Sequence, residues 1–165
     1  MAMGFNLRYA GVLDFHDFTR HICNWFEKKG FEFYITVQKS SAQDFGVKEE
    51  QTIKGWYNET EYHRIYVTVK LTFWDTVPVE ITENGKKKQM TKGRLLVEGK
   101  GQMEKDFEGH FNQSPFTKKL KQFMENYVIN QRYGVIWEDD LHYRVQGLGE
   151  HIKSYLNYNS QGKYF

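Results

Sequence analysis

Between Tyr62 and Asp75 the chain alternates without interruption, with Ile65, Val67, Val69, Leu71 and Phe73 on one phase and Arg64, Tyr66, Thr68, Lys70, Thr72 and Trp74 on the other. Strand side chains repeat every two residues, so the pattern predicts a central strand with one core face and one face in water or against a partner. Phe5, Leu7 and Tyr9 predict a strand over 4–12, and Phe31, Phe33, Ile35 and Val37 predict another. Thr52–Asn58 adds a third, with Ile53 and Tyr57 inward and Lys54 and Trp56 outward, pairing antiparallel with the Tyr62 strand. Past a bend at Asp75 and Pro78, Val77, Val79 and Ile81 are expected to continue the inward phase. Glu83-Asn84-Gly85 predicts a hairpin, because Asn-Gly accepts the positive φ angles of a type I′ turn. The return strand runs from Arg94 to about Phe111 and carries Gly99, Gly101 and Gly109 on its inward phase, which implies bends or the close approach of another element. The polar stretch Ser40–Gln51 is expected to be a solvated loop.

Helical spacing marks three segments. Phe15, Phe18, Ile22, Trp25 and Phe26 recur at three and four residues behind an Asp14 N-cap, and Lys28, Lys29 and Gly30 supply the stop. Ser114-Pro115 starts a second helix whose stripe is Phe116, Leu120, Phe123, Met124, Tyr127 and Val128. After a break at Gly134, a third would carry Trp137, Leu141, Val145, Leu148, Ile152, Tyr155 and Leu156, with Gly147 and Gly149 marking close packing. Together these elements predict an α+β fold: a curved antiparallel sheet packed on an N-terminal helix and long C-terminal helices. At 165 residues, with no linker or repeat, this is one domain over 1–157 and a C-terminal tail over 158–165.

Composition sharpens the picture at one point. Aromatic residues make up 17% of the chain (13 Phe, 11 Tyr and 4 Trp), enough for an aromatic core with rings left over for an interaction surface. The formal charge of +2 does not describe a polycation. Cys23 is the single cysteine, which rules out an internal disulfide and any multi-cysteine zinc site; a reducing, cytoplasmic setting is the simpler expectation, a cysteine-poor secreted protein the alternative. No secretion signal or apolar span is seen, so Asn58-Glu59-Thr60 is a chance glycosylation match and no membrane partner is expected.

Sequence motifs for enzyme chemistry are weak. Glu138 and His142, like Asp17 and His21, stand at i and i+4, but a metal needs more converging ligands, so neither a metal nor a cofactor is expected. Cys23 as a nucleophile would need a base, and His21 two positions away does not face it on a helix. Glu104 beside Lys105 and Asp106 is a mixed-charge solvated pattern. The chain is more simply not an enzyme.

The outward phase carries more. Tyr34, Trp56, Tyr66 and Trp74 alternate with Lys54, Arg64 and Lys70 on strands expected to be neighbours. Aromatic anchors beside cations suit a protein partner or self-association first, and single-stranded nucleic acid second. A basic run of Lys86, Lys87, Lys88, Lys92 and Arg94, joined by Lys118, Lys119 and Lys121, could bind phosphate but more simply protects an exposed edge. The glycine-interrupted strand opposite a long helix also allows a cavity lined by Phe33, Tyr57, Phe73 and Trp137 for a small hydrophobic ligand.

The order of elements (strand, helix, curved antiparallel sheet, long C-terminal helix) resembles the helix-grip, or START-like, architecture, which implies a ligand between sheet and helix. The segments KKKQMTKGRLLVEGKG, FEGHFNQSPF and FMENYVI resemble small uncharacterised archaeal proteins, a likeness that implies no activity. The expected function is a non-catalytic binding or assembly module acting through the aromatic sheet face. The alternatives are a carrier of small hydrophobic ligands and a binder of single-stranded nucleic acid.

Overall fold

A computed structural model describes residues 3–109, 111, 113–129, 134–158 and 163–164. In chain order the elements are β1 (Met3–Leu13), α1 (Phe15–Lys28), β2 (Glu32–Gln43), β3 (Gly46–Asn58), β4 (His63–Glu83), β5 (Lys86–Lys105), α2 (Pro115–Phe123) running into a π-helical stretch (Met124–Ile129), α3 (Gly134–Tyr158) and β6 (Lys163–Tyr164). The strands form one open six-stranded sheet in the order β2-β3-β4-β5-β1-β6, every neighbour antiparallel. Part of the segment expected to be a tail is thus the short edge strand β6, whose Tyr164 pairs with Tyr9.

The core lies on one side of this sheet. Ile65, Val67, Val69, Leu71 and Phe73 of β4 are fully buried there, with Ile53, Leu95 and Val97 from the adjacent strands. Against them pack Phe18, Ile22, Trp25 and Phe26 of α1 and Leu141, Val145, Leu148, Ile152 and Leu156 of α3. The Asp14 carboxylate caps α1 by accepting from the Asp17 N–H at 3.1 Å. Glycines in β5 let these layers approach. The Phe5 ring covers Gly99, and Leu141 and Val145 occupy the space where a Cβ on Gly101 would stand.

Four expectations change. Ser40–Gln51 is not a loop: β2 and β3 run on as a hairpin, pairing Ser40 with Glu49 and Gln43 with Gly46. A bulge between Ile35 and Val37 breaks the β2 alternation and leaves Ile35 exposed. A second bulge puts Asp75 at φ 54° and inserts the buried Thr76, so Val77 emerges exposed, while Val79 and Ile81 keep the expected phase only half-buried. The return strand begins earlier, at Lys86 across the Asn84-Gly85 turn, and ends at Lys105, because Asp106 at φ 52° leaves the extended region.

A further correction concerns α2. Ser114 caps it as the sequence predicts, here as a capping box completed by Thr117. Yet the stripe faces solvent, with Phe116 75% exposed and Leu120, Phe123, Met124 and Tyr127 all exposed. Its polar side is what meets the body, through Lys121 to Asp106 at 3.1 Å and Glu125, which accepts from the Tyr62 hydroxyl at 2.6 Å. Only α3, of the two C-terminal helices, packs on the sheet. No helix among the described residues is long and apolar enough to cross a membrane.

Candidate partner-binding face

The side of the sheet opposite α1 and α3 carries the predicted aromatic and cationic residues, and the register brings most of them together. Trp56 stands opposite Tyr66, Lys54 between Tyr34 and Thr68, and Lys70 beside Thr52. Tyr34 is 47% exposed and meets the Trp56 ring edge-on at 5.4 Å. The Lys54 ammonium lies 5.5 Å from the centre of the Tyr66 ring. Arg64 stacks on Phe107 at 4.0 Å and donates to the Asn58 side chain at 2.7 Å. These contacts fix the orientation of long side chains that would otherwise lose entropy on binding.

Trp74 lies apart, toward the other end of β4. With Arg8, Ala10, Arg94 and Leu96 it lines a groove of about 450 Å³. Arg94, assigned from sequence to the basic patch, sits in this groove and pairs with Asp75 at 2.7 Å. The remaining patch is no block of free charge: Lys87 pairs with Glu80 at 3.1 Å, while Lys86, Lys88 and Lys92 are exposed along the hairpin. Acids also stand at register positions opposite the face's cations, Glu104 across from Arg64 and Glu98 across from Lys70.

The four residues expected to line a cavity are dispersed into ring packing. Phe73 stacks on Phe15 at 5.5 Å, Phe33 on Phe26 at 5.8 Å, and Tyr57 tilts against Phe31 at 5.8 Å. Trp137 lies 3.9 Å from the His63 ring.

Groups weighed for chemistry are engaged elsewhere. Cys23 is half-buried, and burial together with the charge of Glu27 pushes its thiol above the ordinary range, the opposite of an activated nucleophile. Asp17 accepts from the Tyr155 hydroxyl at 2.7 Å and pairs with Arg20; the Tyr155 bond holds its carboxyl below the usual range. His21 stacks on His151 of α3 with ring centres 4.1 Å apart and planes within 2°. Burial lowers both imidazoles, and each ring's charged form would also repel its surroundings, His21 the charge of His151 and His151 the charges of Lys28 and Lys29. Among the described residues no three His, Cys, Asp or Glu side chains converge as metal ligands.

Two arrangements carry no signal in the sequence. One is the Asp17–Tyr155 and His21–His151 seam, whose partners are separated by most of the chain. The other is a polar patch on the core side of the β2–β3 hairpin, where Gln38 pairs in register with Gln51 and Ser40 with Glu49. Compared with known proteins, the chain matches no family model, no curated protein and no solved structure.

Proposed function

We propose that the protein is a non-catalytic binding or assembly module whose outer sheet face docks another protein or a second copy of the chain. One observation carries this reading: Tyr34, Trp56, Tyr66 and Trp74 keep surface open to solvent although none is needed for the core. Rings held in place beside cations are the anchors that protein interfaces use. The acids opposite Arg64 and Lys70 favour a partner of mixed charge over a polyphosphate. The filled glycine gaps at Gly99 and Gly101 favour surface docking over a hydrophobic carrier. An α3 packed with the core on one face of the sheet supports a helix-grip-like arrangement, and the single thiol suits a cytoplasmic setting.

Association is tested by mass measurement and pull-down over a salt series, with an oligonucleotide titration in parallel. Complexes should survive moderate salt and be lost in the Tyr66→Ala/Trp74→Ala pair, each anchor being worth about 2 kcal/mol or more. Stability should be almost unchanged. Binding to oligonucleotide that falls steeply with salt, on a chain that stays monomeric, would overturn the proposal in favour of nucleic acid.

A further inference from the structure

The polar patch on the core side of β2 and β3 opens into a cavity of about 460 Å³ beside the N-terminus of α1, away from α3. Its placement runs against the strand pattern. Farther along the same phase β3 buries Ile53, whereas here the inward positions are Gln38, Ser40, Glu49 and Gln51. Gln51 is only 6% exposed, and Thr19, equally buried, contacts its Oε1 at 2.8 Å. That is the only side-chain hydrogen bond Gln51 makes among the described residues, and the residue lines the cavity. A carboxamide buried on the core-facing phase of a strand is costly in a core position and useful in a binding site.

The lining identifies the kind of ligand. Carboxylates of Asp14, Glu49 and Glu50 disfavour a phosphate or other anion. They do not call for a cation either: Asp14 already caps α1, Glu50 pairs with Lys48 at 3.0 Å, and Lys39 and His16 share the rim. What is left is a set of amide and hydroxyl groups that donate and accept together, with the Phe15 ring beside them. Hydroxyls, which also donate and accept, match such a set, and a carboxylate or carboxamide can engage two at once. We propose that this cavity binds a neutral polyhydroxylated molecule of one or two sugar rings, held by Gln38, Ser40, Glu49 and Gln51 and packed against Phe15.

Backbone amide NMR of the whole chain, titrated with D-glucose, D-galactose and maltose, tests this directly. Inorganic phosphate and tetramethylammonium serve as the anionic and cationic probes. At least one sugar should give saturable shifts at Thr19, Gln38–Ser40 and Glu49–Gln51. Gln51→Leu, similar in size, should weaken that binding about tenfold or more. Should Gln51→Leu fail to fold, Ser40→Ala at the exposed rim replaces it with the same expectation. No saturable shift with any sugar at the highest soluble concentration overturns the proposal. So does binding that the substitution leaves intact, or a preference for either charged probe.

Discussion

Val67 and Leu71 are both fully buried on β4, so a carboxylate introduced at either would be taken out of water with no cation to pair with it. Its desolvation costs several kcal/mol, on the order of the stability of a whole domain, so Val67→Asp and Leu71→Asp should not fold. Thr68→Asp, one residue along on the open face, should shift a urea midpoint only slightly. Equal losses on both faces would contradict the assigned phase. Titration acts at the same scale. Burial holds His21, His63 and His151 below the ordinary histidine range, so the unfolded chain binds more protons than the native one as the pH falls through that range. Stability is therefore complete above the unfolded value and declines as the solution is acidified, even though the charge of Asp17 partly favours a protonated His21. Urea midpoints at about pH 7.5 and about pH 5.5 measure the slope. His151→Phe keeps a stacked ring without a proton to gain and should flatten it; an unchanged slope would place the effect elsewhere.

Elements differ sharply in how much packing each one bears. Any side chain at Gly101 collides with α3, since its Cβ would stand 2.5 Å from a Val145 methyl. Gly101→Val should lift that helix and cost about 1–3 kcal/mol, with Leu141→Ala as a partial rescue in a double-mutant cycle. On α2 the reverse holds. Phe123→Ser removes an exposed ring and should change stability by about 0.5 kcal/mol or less, whereas Phe26→Ala in the core should cost about 3–5 kcal/mol. The contrast marks what the sequence makes legible. Strict alternation in β4 and the Asp14 cap report local geometry, and both appear as predicted. The apolar spacing of α2 reports an amphipathic helix without saying which side meets the body; that choice is made by Lys121 and Glu125, whose partners lie on other elements. Ser40–Gln51 misleads for a related reason. Polar residues on an inward phase look like a loop until the facing cavity is known. The outer aromatic row is legible because alternation fixes which face each side chain takes, and Trp74 falls outside it because it stands about 26 Å farther along β4 than Tyr66.

For the molecule as a whole, the sheet is uneven in its support. Beyond the pairs Val47–Thr76 and Leu13–Thr91, β4 and β5 continue alone to the Asn84-Gly85 turn. A two-stranded ribbon without neighbours is marginal in water. Its amides should exchange with solvent far faster than those of Val67–Leu71, and trypsin should cut first at Lys86–Lys88 while the body stays intact. An uncut hairpin under conditions that digest the termini would mean the ribbon is held by something else. The pairing of β1 with β5 has another consequence, in time. The β2–β3, β3–β4 and β4–β5 ladders each close across a short turn, but Met3 finds its partner only at Gly101. As the chain is made, the first strand and the helix that follows it must wait for the fifth strand to emerge. Such long-range closure, rather than any of the hairpins, should set the rate at which the protein reaches its native state.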